Sequence, residues 1–77
     1  MSNFLVVLGH SIKKLRHELS LSQEQLAERC GFDRTYISML ERGTRNPTLL
    51  NLLKLANGLE ISVSELTEVL NGTKPDT

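Results

Sequence analysis

Four side chains that can hydrogen-bond to base edges or to phosphates fall within residues 34–38: Arg34, Thr35, Tyr36 and Ser38. An arginine guanidinium presents a planar fork of donors that fits guanine O6 and N7. Threonine offers a hydroxyl and a methyl group, and tyrosine and serine can donate to bases or phosphates. On an arbitrary short helix such residues more often form a solvated face. The segment that carries them decides between these two interpretations.

That segment, residues 22–43, has the pattern of two short helices joined by a tight turn. Ser22 and Gln25 predict a capping box at the start of the first helix. Gly31 is typical of a helix C-terminus, and Asp33 is a suitable N-cap for the second helix. The predicted inner face consists of Leu26, Ala27, Cys30, Ile37 and Leu40. This is a helix-turn-helix pattern, in which the N-terminal end of the second helix meets base edges.

The flanks of this segment add candidate phosphate contacts. Gln23 lies at the start of the first of the two helices, where free backbone N–H groups and the helix dipole favour an anion. Arg45 and Asn46 follow the second helix in a loop and can both donate to phosphates. For Gln23 the alternative is an ordinary surface residue. Together with residues 34–38, these three complete the predicted DNA-binding set.

Length and composition predict one small all-α domain, over residues 1–72, followed by a frayed tail, 73–77. The 77 residues carry no net charge, which by itself argues against a nucleic-acid partner. The charge is unevenly distributed, however. Residues 1–58 hold eight Lys and Arg against five Asp and Glu, whereas residues 59–77 hold one against four. The helix-turn-helix part is therefore mildly basic, and affinity should depend on a few well-placed contacts.

Other chemistry finds little support in the sequence. The single cysteine, Cys30, excludes an internal disulfide and a cysteine-based metal site. We expect it to be a small buried hydrophobic residue, with a redox sensor as the alternative. His10 and His17 have no partner at metal-ligand spacing. We therefore expect no catalytic site, metal or cofactor. The apolar run near the N-terminus is far too short to span a membrane, so a cytoplasmic location is the default.

Three further helices are predicted around the helix-turn-helix. The first runs from about Asn3 to Leu19, with Gly9 as a weak point that places the firm start near His10. The fourth begins after Pro47, with an apolar stripe of Leu49, Leu52, Leu53 and Ala56 and with Leu50 and Leu55 beside it. These leucines exceed what one small core needs, so a partner subunit should cover some of them. The last helix starts with a Ser62–Glu65 capping box and ends near Leu70.

The chain resembles the lambda-repressor-like, or Xre-type, helix-turn-helix family over residues 8–70. The resemblance lies in the order of elements and in the string IKKLRHELSLSQEQLAERCGFDRTYISMLERGTRNPTLLNLLKLANGLEIS. Within the family, DRTYISMLERGTRNPTLLNL is most similar to controller proteins of restriction–modification systems. The resemblance implies a five-helix domain in which Arg34, Thr35, Tyr36 and Ser38 face bases while Gln23, Arg45 and Asn46 hold the backbone.

The resemblance also implies two structural features. Arg16 and Glu41 match an interhelical ion pair of the family, in which the arginine can also reach phosphate. Ser20 and Glu60 stand where glycine is usual, so positive φ angles are expected at both.

A homodimer on double-stranded DNA is the expected assembly. The implied interface residues are Leu50, Leu59, Ile61, Val63, Leu66 and Val69. Such a dimer would bind a near-palindromic operator and regulate its own gene and the endonuclease gene. It would activate by contacting RNA polymerase from an upstream site, or repress by covering the promoter. The alternatives are an antitoxin or phage-type repressor with the same domain, and a protein-interaction module that does not bind DNA.

Overall fold

The computed structural model describes residues 3–75, which form five α-helices and no strand. The helices are α1 (Asn3–Glu18), α2 (Gln23–Cys30), α3 (Arg34–Glu41), α4 (Leu49–Gly58) and α5 (Val63–Thr67). A 3-10 turn over Glu68–Leu70 follows α5 directly, so the single last helix predicted from the sequence is in fact divided. The all-α, five-helix prediction is confirmed.

Side-chain caps set where α2 to α5 begin. Ser22, Asp33, Thr48 and Ser62 each accept a hydrogen bond from the backbone N–H three residues later. Both predicted capping boxes are present, because Gln25 and Glu65 also accept from the backbone N–H of their cap residue. Each cap satisfies a backbone donor that a helix start would otherwise leave unpaired. The local sequence therefore fixes the helix starts.

Two turns use left-handed backbone at residues other than glycine. Ser20 has a φ of 58° and Glu60 a φ of 62°, as expected from the glycines usual at these positions in the family. Such a conformation costs of order 1 kcal/mol or more. At Glu60 the side chain offsets part of this cost by accepting from Arg29 Nη1 at 3.0 Å. In the helix-turn-helix itself, Gly31 occupies the corresponding position with a φ of 78°.

The core lies between the five helices, of which α3 packs against α1 and α2, and α4 packs against α2 and α5. Its fully buried large side chains are Ile12, Leu26, Ile37, Leu40, Leu55 and Leu66. The predicted apolar stripe of α4 was partly wrong, because Leu49 and Leu53 are exposed whereas Leu55, predicted beside the stripe, is buried. Ala56 is buried as expected. The helix has apolar residues on more than one side, so its periodicity alone could not select the inner side.

The chain ends are only partly described. Met1 and Ser2 of the predicted 1–72 domain lie outside the described residues, as do Asp76 and Thr77 of the predicted tail. The tail's first residue is hydrogen-bonded, since Thr73 Oγ1 donates to the carbonyl of Leu70 at 2.7 Å. Among the helices of residues 3–75, none has the length and apolarity needed to cross a membrane.

Gly9 marks a close helix crossing and not a frayed helix entry. Helix α1 begins at Asn3, six residues earlier, and Gly9 is buried in its interior. A Cβ atom at Gly9 would lie 2.5 Å from the carbonyl oxygen of Leu40 and 2.6 Å from that of Glu41. The absence of a side chain therefore allows α1 to approach the C-terminal end of α3.

We expect Gly9→Ala to destabilise the protein by about 1–3 kcal/mol because the added methyl group meets backbone atoms that cannot rotate away. Helix propensity alone predicts the opposite sign, a gain of up to about 1 kcal/mol. Urea unfolding followed by circular dichroism measures the difference. Gly31→Ala is the matched comparison, since nothing lies within 4 Å of its Cβ position and only backbone strain opposes it. A more stable Gly9→Ala variant would contradict the close-approach explanation.

Candidate nucleic-acid interface

The predicted base-reading residues lie together at the outer N-terminal end of α3. Arg34 and Thr35 are exposed, and Ser38 is half-buried one turn further along. Ile37 and Leu40 occupy the opposite side of the helix and are buried in the core. Burial of this inner side leaves the polar side chains on the surface. The local sequence and the tertiary packing thus agree on which side of α3 is available to a ligand.

Arg34 has one weak ionic neighbour. Its Nε lies 3.9 Å from Oε1 of Glu24 on α2, and the two side chains are 63% and 79% exposed. An ion pair this open contributes little in water. The guanidinium can therefore leave Glu24 for a base edge at small cost.

Tyr36 is held on three sides. Its ring packs edge-to-face on Phe32 with centroids 4.7 Å apart, and the guanidinium of Arg45 lies 5.2 Å from its centroid. Its hydroxyl oxygen accepts a hydrogen bond from Asn51 Nδ2 at 2.9 Å. Sequence reasoning missed Asn51, because a polar residue in the first turn of a leucine-rich helix gives no sign of its partner. The contact between the Arg45 guanidinium and the Tyr36 ring also brings Arg45 beside α3.

Gln23 and the buried ion pair form one network behind the α2 N-terminus. Arg16 donates to Glu41 through Nε at 2.6 Å and through Nη2 at 3.0 Å, and Nη1 donates to the carbonyl of Leu21 at 2.8 Å. Gln23 Nε2 donates to the same carboxylate at 3.1 Å. This arrangement fixes the Gln23 side chain, which is half-buried.

The family ion pair expected between Arg16 and Glu41 is present. Its two side chains are only 8% and 4% exposed, so Arg16 is placed as a structural residue and not as a phosphate contact. Asn46, by contrast, is exposed in the loop between α3 and α4, as is Arg45.

The six expected interface residues divide into three groups. Leu50 and Val69 are exposed, and Ile61 and Val63 are half-buried. The interface role expected for Leu59 and Leu66 was wrong, since they are 2% and 0% exposed within a single protomer and belong to its core. Both residues are apolar, as an interface would require, but only the tertiary packing shows that they face inward. Leu49 and Leu53, which belong to the surplus of apolar residues predicted in α4, are also exposed.

Cys30 is buried, beside the backbone of α4. A Cβ at Gly58 would collide with its sulfur, so Gly58 makes room for the thiol. Burial raises the pKa of the Cys30 thiol, and nearby Arg29 opposes this only in part. A raised pKa disfavours the reactive thiolate, which agrees with the expected role as a small hydrophobic residue. No cluster of three or more potential metal ligands occurs within residues 3–75.

Several known proteins are similar to this chain in sequence and in fold. A family model described as helix-turn-helix matches residues 12–66. Control protein C.MunI from a Mycoplasma species is 46% identical over 67 residues, which cover 86% of this chain and 90% of that protein. The restriction–modification controller protein C.AhdI from Aeromonas hydrophila is 48% identical with a TM-score of 0.79, covering 80% of this chain and 94% of that one.

A second similar structure contains DNA. It is the tetramer of controller protein C.Esp1396I in complex with its natural 35 base-pair operator. Its sequence is 41% identical and its TM-score is 0.83, with coverage of 92% of this chain and 93% of that one. With the family model spanning α2 to α5 and relatives aligned over most of their length, the chain belongs to the Xre-type helix-turn-helix family, together with control proteins of restriction–modification systems.

Proposed function

We propose that this protein is a sequence-specific DNA-binding regulator that acts as a restriction–modification controller. The observation that carries the proposal is the outer N-terminal end of α3, where Arg34 and Thr35 are exposed beside a fixed Tyr36. Arg34 and Thr35 take no part in the core, and Tyr36 packs against its edge. Relatives that are similar in sequence and fold include control proteins, a class of transcriptional regulators and not of enzymes.

In the proposed complex, α3 lies in the major groove. Arg34 reads a guanine, Thr35, Tyr36 and Ser38 contact bases or phosphates nearby, and the start of α2 receives a phosphate. Gln23 shares its amide with Glu41, so the free backbone N–H groups of the α2 start supply the main phosphate contact there. Arg45 and Asn46 hold the backbone beside the groove.

A dimer is proposed from the exposed apolar residues of α4. Leu49, Leu50 and Leu53, which we call the α4 apolar face, are 76%, 59% and 48% exposed. Leu53 lies four residues after Leu49 and three after Leu50, so it is a neighbour of both on the helix and connects the three into one surface. A second copy of the chain would cover it, with Val69, Ile61 and Val63 as further contributors. Two protomers related by a two-fold axis place two α3 helices in successive major grooves.

We expect Leu50→Glu to separate the dimer and to weaken operator binding by roughly 100-fold, because each half-site is then bound without the help of the other. Analytical ultracentrifugation gives the mass, and fluorescence anisotropy gives the affinity. Asn57→Glu adds the same charge to an exposed position of α4 and should do neither. A variant Leu50→Glu that stays dimeric would move the interface away from the α4 apolar face. A charge at Leu66 is unsuitable for this test, because it would unfold the protomer.

The proposed regulator would act in the cytoplasm, with its own concentration as the signal. A dimer bound upstream of a promoter would contact RNA polymerase and activate, whereas one that covers the promoter would repress. Binding-site position relative to the promoter decides between the two.

The test of the function is a selection of bound DNA from random oligonucleotides with the purified full-length chain. We expect an enriched near-palindrome whose half-sites lie about 10 bp apart, centre to centre. A chain that enriches no sequence would instead support a protein-interaction module. Neighbouring genes separate the remaining alternatives: a methyltransferase and an endonuclease fit a controller, whereas a toxin fits an antitoxin.

A further inference from the structure

We propose that Asn51 is a positioning residue for DNA readout, which acts by making the Tyr36 hydroxyl a hydrogen-bond donor toward DNA. This inference rests on the proposed function and assigns a role to a residue outside the helix-turn-helix. Asn51 lies 15 positions along the chain from Tyr36, and the two side chains meet at 2.9 Å.

Asn51 is itself firmly placed. It occupies the third position of α4, where its backbone N–H donates to Oγ1 of the cap residue Thr48 at 3.1 Å. Helix α4 packs chiefly against α2 and α5. The Asn51–Tyr36 bond therefore gives α4 a direct polar link to the reading helix α3.

The chemistry of the hydroxyl sets what Tyr36 can recognise. A phenol carries one donor hydrogen and can also accept, whereas the amide NH2 of asparagine can only donate. Because Asn51 Nδ2 donates to Tyr36 Oη, the phenol hydrogen is directed away from Asn51. It then fits acceptors, namely phosphate oxygens, guanine O6 and N7, adenine N7 and thymine O4. The amino groups of cytosine and adenine are donors and are disfavoured at this position.

Neighbouring side chains restrict the position of the Tyr36 hydroxyl, in addition to the direction of its hydrogen bond. Phe32 packs against the ring, and Arg45 covers it. Tyr36 and Asn51 both line an open surface pocket together with Gly31, Phe32 and Asp33, so the region of the hydroxyl is accessible to a ligand. A donor held in place before binding loses little freedom when the complex forms.

A double-mutant cycle on the selected operator tests the inference. Asn51→Leu and Asn51→Asp are each made in the natural chain and in a Tyr36→Phe chain, and affinities are measured by fluorescence anisotropy at one fixed salt concentration. We expect Asn51→Leu to weaken binding about 5-fold when Tyr36 is present, the value of one hydrogen bond, and less than about 2-fold when it is Phe.

Asn51→Asp provides the sharper comparison, because it keeps the shape of the side chain but accepts the phenol hydrogen. It should weaken binding more than Asn51→Leu does in the natural chain. In the Tyr36→Phe chain only the effect of the added charge should remain. A carboxylate in the first turn of a helix favours the helix, so this variant is expected to fold even if Asn51→Leu does not.

A merely structural role would give a different result. If Asn51 only stabilises the fold, its replacement weakens DNA binding equally with Tyr36 and with Phe at position 36, and the inference is overturned. Thermal unfolding of each variant confirms that affinities are compared between folded proteins. If the natural chain selects no DNA sequence, the proposed function fails and this inference fails with it. A selected operator with an additive cycle overturns the Asn51 role alone.

Discussion

Replacing Arg34 with alanine should weaken operator binding by about 1–3 kcal/mol and relax the sequence preference at one base pair per half-site. The expected size reflects a bidentate contact with guanine, for which no other described side chain at the start of α3 offers an equivalent donor pair. The competing contact with Glu24, at 3.9 Å and exposed, subtracts little from this value. The change in preference, more than the loss of affinity, identifies a base contact.

Arg29→Ala is the matched control for this experiment. It removes the same charge from α2, but its guanidinium donates to the carbonyl of Gly58 and to Glu60, on the side of α4. We expect it to leave the base preference of the selected DNA unchanged. If Arg34→Ala binds its operator as tightly as the natural chain, or if it loses affinity equally on every sequence, the assignment of Arg34 to a base is wrong.

Replacing Arg16 with methionine should reduce the free energy of unfolding by about 3–5 kcal/mol, since it leaves the Glu41 carboxylate buried without its cation. A domain of this size has only about 4–12 kcal/mol of total stability, so the variant would lose between about a quarter of it and all of it. Urea unfolding measures the loss. Leu21 also loses the donor for its carbonyl, which adds to the effect.

The paired replacement distinguishes a buried charge from general misfolding. Arg16→Met with Glu41→Leu removes both charges, and it should recover most of the lost stability. Arg29→Met breaks the exposed pair with Glu60 and should cost no more than about 1 kcal/mol. A double variant as unstable as Arg16→Met alone would show that the charge of Glu41 is not the cause.

Most of what could be predicted from the sequence depends on interactions between residues that are close together in the chain. Capping residues act within four positions of the chain, so Ser22, Asp33, Thr48 and Ser62 could be identified as helix starts without tertiary information. The two left-handed turns at Ser20 and Glu60 followed from comparison with the family pattern. The polar outer side of α3 could also be predicted from nearby residues, since helical periodicity places Ile37 and Leu40 opposite Arg34 and Thr35.

The packing of the helices decides which apolar residues are buried where helical periodicity leaves more than one choice. Helix α4 is apolar on more than one side, so the sequence did not show that Leu53 is exposed and Leu55 buried. The family resemblance likewise implied an interface role for Leu59 and Leu66, although both are buried inside one protomer. From the sequence, Gly9 resembled a weak point of a helix. The carbonyl groups that pack against it belong to residues more than 30 positions away, so nothing in the sequence indicated this contact.

The sequence by itself determined the approximate positions of the helices, the starts of α2 to α5 and the polar set from Arg34 to Ser38, because these depend on interactions between near neighbours in the chain. Only the tertiary structure showed that Tyr36 is fixed by Phe32, Arg45 and Asn51 and that Gln23 shares the carboxylate of Glu41. The contacts of Asn51 with Tyr36 and of Gln23 with Glu41 join separate helices, so their distances depend on how the helices pack. Whether a polar side chain is free or already hydrogen-bonded is therefore a property of the fold.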